Sequence, residues 1–201
     1  MRRFSLLVAL SLMLSAVPAL AQNDDAPAVA ADDEGGGRRS AFRSPGGLLD
    51  RSEHTRDQQL AFQIGIPWYF YGGFPIGLSG RYYYPIVPNG FIPAVNDEFG
   101  LEAGIDFAIV FGGYIVPAID IPIAARWAFH LTQDWTVFAK IGFGLGLTFL
   151  GSYSYGGYYG GTWVRFVFES QLGAMYKIND TISLRLDVGY PWAKFGVVIS
   201  L

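Results

Sequence analysis

The sequence predicts an all-β fold: an eight-stranded antiparallel up-and-down transmembrane β-barrel behind a disordered N-terminal tail. Three observations carry that expectation. Between Asp134 and Leu150 the chain alternates, with Trp135, Val137, Ala139, Ile141, Phe143, Leu145, Leu147 and Phe149 on one face and Thr136, Lys140, Gly142, Gly144, Gly146 and Thr148 on the other. Such a period of two marks a strand with one oily and one small or polar face. Other segments after residue 58 repeat the pattern, and in each the charges fall opposite the large apolar side chains. Finally, although 51% of the 201 residues are hydrophobic and 15% charged, no apolar run after the first 21 residues reaches the ~18 that a spanning helix needs. The nearest candidate, 107–125, contains Gly112-Gly113, Pro117, Asp120 and Pro122, so a helix there would bury a charge beside helix breakers.

Residues 1–21 begin with Arg2 and Arg3, continue through the apolar stretch Leu6 to Leu14 and end in Ala19-Leu20-Ala21. A charged start, a short apolar centre and a small-x-small site describe a secretory signal peptide, which is set apart from the fold. The chain has no cysteine, which excludes a lipid-anchored lipoprotein, a disulfide framework and any thiolate metal site. Residues 22–57 are rich in Ala, Asp, Gly and Arg, centred on Asp32-Asp33-Glu34-Gly35-Gly36-Gly37-Arg38-Arg39. Too little apolar surface is available there to offset the entropy of ordering, so a disordered periplasmic tail is expected. Residues 58–201 form the barrel domain.

The strands follow in order. Over 59–70, Leu60, Phe62, Ile64, Ile66 and Trp68 oppose Gln63 and Gly65; over 75–87, Tyr82, Tyr84 and Ile86 oppose Ser79 and Arg81. Over 98–111, Phe99, Leu101, Ala103, Ile105, Phe107 and Ile109 oppose Glu102, Gly104 and Asp106. The fourth, 116–130, sets Ile119, Ile121, Ile123, Ala125, Trp127 and Phe129 against Asp120, Ala124, Arg126 and His130. The fifth is the segment described first. The sixth, 163–177, sets Val164, Phe166, Phe168, Leu172, Ala174 and Tyr176 against Arg165, Glu169, Gln171 and Gly173. The seventh, 181–190, sets Ile182, Leu184, Leu186 and Val188 against Ser183, Arg185 and Asp187; the eighth, 192–201, sets Phe195, Val197, Ile199 and Leu201 against Lys194, Gly196 and Ser200.

Alternation alone does not say which face points inward, because a soluble lipocalin-like binder alternates with its oily face inside. Charge density decides. The polar faces carry one to three charges per strand, padded with Gly and Ala, where a water-facing surface would be dense in Lys and Glu. A narrow eight-stranded lumen wants small residues beside a few charges, so the oily face is expected outside. With an even strand count both termini lie on one side, which in bacterial barrels is periplasmic. The polar turns 130–134 and 177–181 fall on that side. Aromatic girdles are expected at Tyr84, Trp127, Phe129, Trp135 and Tyr176 on the inner level, and at Trp68, Phe70, Phe149, Trp163, Tyr190 and Trp192 on the outer. The connection 87–97 is long for its side, and Pro67, Pro117 and Pro122 require strand ends or bulges.

The candidate lumen charges are Arg81, Glu102, Asp106, Asp120, Arg126, Lys140, Arg165, Glu169, Arg185, Asp187 and Lys194, five acids against six bases. A turn centred near Tyr114 sets Glu102 opposite Arg126, and one between Tyr190 and Pro191 sets Asp187 opposite Lys194. Opposed charges in a confined bore stabilise the fold and block flow. The long loop 151–161 presents Tyr153, Tyr155, Tyr158 and Tyr159 among glycines, the candidate contact for an extracellular ligand. Catalysis has little to stand on, since the histidines His54 and His130 have no Ser and acid partners in a recognisable pattern. Metal and cofactor sites are not expected. A net charge of −3 argues against nucleic acid.

The last strand, Trp192-Ala193-Lys194-Phe195-Gly196-Val197-Val198-Ile199-Ser200-Leu201, resembles the C-terminal assembly signal of outer-membrane barrels. Phe195, Val197 and Ile199 match its alternate apolar positions, while Leu201 stands where that family usually ends in an aromatic residue. Residues 59–201 look like the small eight-stranded class of the OmpA transmembrane domain, OmpX and OmpW, a resemblance of architecture without a subfamily motif. It implies the bacterial outer membrane, with its lipid and the barrel-assembly machinery as partners. The expected function is a non-enzymatic structural or surface-interaction role with the lumen closed by paired charges. The alternatives are a narrow channel or transporter for small or hydrophobic solutes, and the lipocalin-like binder.

Overall fold

The eight alternating segments form eight strands in the computed structural model, which describes residues 41–68, 73–112, 115–150 and 161–201, the Leu150 side chain excepted. They are β1 (Gln59–Pro67), β2 (Phe74–Val87), β3 (Asp97–Phe111), β4 (Ile115–His130), β5 (Trp135–Leu150), β6 (Gly161–Lys177), β7 (Ile182–Tyr190) and β8 (Trp192–Ser200). Each pairs antiparallel with the next, and β1 pairs with β8 from Gln59↔Ser200 to Pro67↔Trp192, closing an up-and-down barrel. Closure gives every strand a neighbour on both sides, although β6 meets the shorter β7 only over Ser170–Lys177. β1 is described to Pro67, and residues 69–70 of its expected span lie outside the described residues. Pro122, which offers no N–H, coincides with an interruption in β4: the β3–β4 pairing breaks between Ala103↔Ile123 and Asp106↔Asp120. No described helix is long and apolar enough to cross a membrane.

Burial settles which face points inward. On the outside Phe166 is 90% exposed and Phe143 74%, whereas Glu102, Arg126 and Asp187 on the inside are 0%. The inward oily face that a lipocalin-like binder requires is therefore not present. Most candidate girdle residues, Trp68, Tyr84, Trp135, Phe149, Trp163, Tyr176 and Tyr190 among them, are exposed on the outer wall. Trp192 is a correction. Although expected in the outer girdle, it is 1% exposed, because it shares the parity of Lys194 and turns inward. Gly77 makes room for its indole, since a Cβ at Gly77 would lie 2.3 Å from Trp192 Cη2.

At the end where β1 begins and β8 ends, the turns are tied by their own side chains. Thr132 Oγ1 accepts from the N–H groups of Asp134 and Trp135 at 3.3 and 3.1 Å. Asn179 Oδ1 accepts from those of Thr181 and Ile182 at 3.0 and 2.8 Å, an Asx-type closure. The long β2–β3 connection folds over the outer wall, where Phe91 packs on Phe99 and Trp127 with ring centroids 5.2 and 6.2 Å apart. Beneath it Asp97 accepts from Phe91 N–H at 3.1 Å and Trp127 Nε1–H at 2.7 Å.

The same end differs from the sequence expectation in a second respect. Residues 41–57, assigned to the disordered tail, are folded against the barrel mouth. A 3-10 turn, Ala41–Arg43, leads into a strap. Leu48 N–H donates to Leu131 O at 3.2 Å, and Leu48 O accepts from Asn96 N–H at 2.7 Å. The segment needs no apolar core of its own because the mouth supplies its hydrogen-bond partners. Residues 1–40, Phe70 and the loop tyrosines Tyr153, Tyr155, Tyr158 and Tyr159 lie outside the described residues.

Candidate functional site: the lumen ion network

Strand parity aims the charged side chains into the bore. Arg81 comes from β2, Glu98, Glu102 and Asp106 from β3, Asp120 and Arg126 from β4, Lys140 from β5, Arg165 and Glu169 from β6, Arg185 and Asp187 from β7, and Lys194 from β8. All are buried except Arg165, whose side chain is 24% exposed. Counting Glu98, the wall contributes six carboxylates and six cations.

The pairing runs mostly across the bore rather than along hairpins. Lys140 Nζ lies 2.9 Å from carboxylate oxygens of Glu102, Glu169 and Asp187 together. From β7, Arg185 reaches Glu102 on β3 at 2.8 Å while its Nε donates to Asp187 at 2.8 Å. Arg81 joins Asp106 at 2.6 Å to Glu169 at 3.1 Å, and Lys194 Nζ donates to both oxygens of Asp106 at 3.0 Å. Toward the mouth, Arg126 bridges Glu98 and Glu102 at 3.3 and 3.5 Å. Toward the far end, Arg165 Nη2 donates to Asp120 at 2.7 and 3.0 Å. Buried charges in such numbers are tolerable because most of them meet two or more opposite partners.

The expected hairpin pairs fare differently. Asp187 stands opposite Lys194, yet each finds its ion pairs elsewhere. Glu102 faces Ala124, and Arg126 faces Gly100. The hairpin centre lies closer to 113 than to 114, which displaces the expected partners by two residues, and the long Arg126 side chain spans the difference. That register also sets Asp106 directly against Asp120. Like charges so placed repel, and Arg81 and Lys194 on one side with Arg165 on the other offset them.

Aromatic rings fill the space between ion pairs. The Arg126 guanidinium lies 3.3 Å from the Tyr83 ring centroid and 5.3 Å from that of Phe138, and Arg185 lies 4.7 Å from Phe138. Alternating guanidinium and ring in this way adds cation–π attraction to the salt bridges. Glycine makes the stack fit: a Cβ on Gly173 would lie 2.1 Å from Phe138 Cζ. Tyr83, Phe138 and Glu98 were legible by parity alone, since each shares a face with a charge already assigned inward.

At the mouth a polar cavity of about 270 Å³ is lined in part by Arg56, Gln59, Glu98, His130, Thr136 and Lys177. Arg56, which sequence reasoning left in the tail, joins the network through Glu98 at 3.3 Å. Burial pulls its guanidinium below the usual value, against the raising effect of Glu98. His130 Nε2 approaches the same carboxylate at 3.5 Å. Among the described residues no group of three or more His, Asp or Glu is placed to hold a metal ion.

Compared with protein-family models and with curated proteins, the chain matches none.

Proposed function

We propose that this chain is a non-enzymatic integral barrel of the bacterial outer membrane, with a structural or surface-interaction role and a lumen bolted shut by its ion network. The observation that carries the reading is the pairing of an exposed apolar outer wall with a charged interior. Lipid is the solvent that favours such an exterior, and a closed barrel satisfies every backbone group within it. The leader-like residues 1–21 and the C-terminal strand support export and recognition by the barrel-assembly machinery. Cross-bore pairs such as Arg185 to Glu102 support a plug rather than a pore. The outer lipid is then the partner along the wall, and the Tyr/Gly loop the candidate contact for an extracellular ligand.

The test begins with detergent-extracted outer membranes and gel migration with and without boiling. A faster unboiled band from the outer-membrane fraction is the expected result; a buffer-soluble protein with no shift overturns the membrane assignment. Planar-bilayer recording then addresses the plug. Silence at moderate voltage is expected, and discrete openings of the unmodified protein would make it a narrow channel.

A further inference from the structure

The strap is held to the mouth largely by polar contacts. Of residues 44–57 only Gly47 is buried, and most of 51–57 is exposed. Its attachment rests on backbone bonds at Leu48, on Gly47 O accepting from Asn96 Nδ2 at 3.3 Å, on His54 N–H donating to Asn89 Oδ1 at 2.9 Å, and on Arg56. A segment with so few apolar contacts belongs to the low-stability end of a fold. Arg56 is the strap side chain with the most polar contacts to the barrel. Its Nε donates to Pro88 O at 3.2 Å and lies 3.3 Å from Glu98 Oε2, and its Nη2 donates to Asn96 Oδ1. Three acceptors of different kinds, a carbonyl, a carboxamide and a carboxylate, thus converge on one planar guanidinium. All three come from the β2–β3 connection and the first turn of β3, so they belong to the barrel and not to the strap.

We propose that Pro88 O, Asn96 Oδ1 and the Glu98 carboxylate form a guanidinium-binding site that Arg56 fills in cis, making residues 44–57 a releasable latch over the mouth. The fork of N–H donors on a guanidinium matches spread acceptors in a way that a compact ammonium does not. Release leaves no orphaned charge in the wall, because Glu98 retains Arg126 at 3.3 Å and His130 at 3.5 Å. The ligand class follows: a free alkylguanidinium, or an arginine side chain of a partner, would compete for the site and expose the cavity floor at Glu98 and His130. The latch needs only the mouth geometry, and amide exchange reads it whether or not the bore conducts.

The experiment uses the full mature chain refolded in detergent, with amide exchange followed residue by residue for wild type, Arg56→Ala and Arg56→Lys. In Arg56→Ala the amides of Leu48 and Asn96 should exchange at least about tenfold faster, while strand amides and the unboiled band stay as in wild type. Added ethylguanidinium should compete with Arg56 and speed exchange at Leu48 and Asn96 in wild type, and ethylammonium at equal ionic strength should do so far less. Arg56→Lys should recover only part of the protection. Unchanged exchange in Arg56→Ala overturns the latch, and equal acceleration of wild-type exchange by the two cations, or by neither, overturns the guanidinium site.

Discussion

Glu102 is where the network concentrates. It meets Lys140 at 2.9 Å, Arg185 at 2.8 Å and Arg126 at 3.5 Å, with no exposure to solvent. Removing it leaves three cations facing a bore with one acid fewer, so Glu102→Ala should cost about 3–5 kcal/mol of stability, as breaking a buried pair does. The temperature at which the unboiled folded band disappears checks this, and a loss no larger than that of a surface control would contradict the central role. Outside the barrel wall, Asp50 carries a pH-dependent element of the strap. Its carboxylate accepts from Gly46 N–H at 2.6 Å and from the Ser52 N–H and hydroxyl at 3.0 and 2.8 Å, and these bonds lower its pKa from 3.8 to about 2. A depressed carboxylate favours the fold above its unfolded pKa, and that contribution disappears as pH falls through the folded value. The 46–52 turn should therefore hold at pH 5 and loosen between about 4 and 2. Carboxyl and amide chemical shifts of Asp50, Gly46 and Ser52 report it.

At the scale of elements, alternation made the strands legible because each one separates two unlike surroundings, and a period of two survives any uncertainty about strand ends. Parity also placed the network residues, and it would have placed Trp192 inside had the aromatic type not suggested a girdle. Registers were less accessible. The β7–β8 turn is tight, so Asp187 opposite Lys194 can be read from the chain, whereas the β3–β4 register centres one residue earlier than the chain suggests, which moves the opposite residue of Glu102 by two. The strap was invisible for another reason: its order comes from acceptors contributed by Asn96, Leu131 and Pro88, not from its own composition. Glycine in the strands has a meaning that composition gives only in outline. Gly173 on β6 stands directly opposite Phe138 on β5, whose ring it accommodates, and that ring lies near the guanidinium groups of both Arg126 and Arg185. Gly173→Ala should force that ring to move and destabilise the barrel by about 1–3 kcal/mol, the usual cost of overpacking. The same folded-band assay measures it, and Ala at Gly80, where a Cβ meets nothing within 4 Å, serves as the control.

For the whole molecule, closure of the wall and closure of the bore are separate properties. Backbone pairing of β1 with β8 closes the wall and would persist with a different interior. The bore is closed by side chains that cross it, and Arg185 to Glu102 is the pair that joins β7 to β3. Removing both ends at once keeps the charge balance. In Glu102→Ala/Arg185→Ala, Lys140 retains Glu169 and Asp187, each at 2.9 Å, and Arg126 retains Glu98 at 3.3 Å. The double variant should therefore be more stable than the sum of the single losses implies, with a coupling of about 1–3 kcal/mol typical of contacting charged partners. Two large side chains then leave the middle of the bore, and the aqueous path lengthens from the mouth cavity toward Arg81 and Asp106. Planar-bilayer recording should show discrete openings in the double variant and none in wild type, while both retain the unboiled folded band. A double variant that is folded, additive in its losses and electrically silent would mean that the cross-bore pairs are ordinary filling and that the barrel is shut by its aromatic stack.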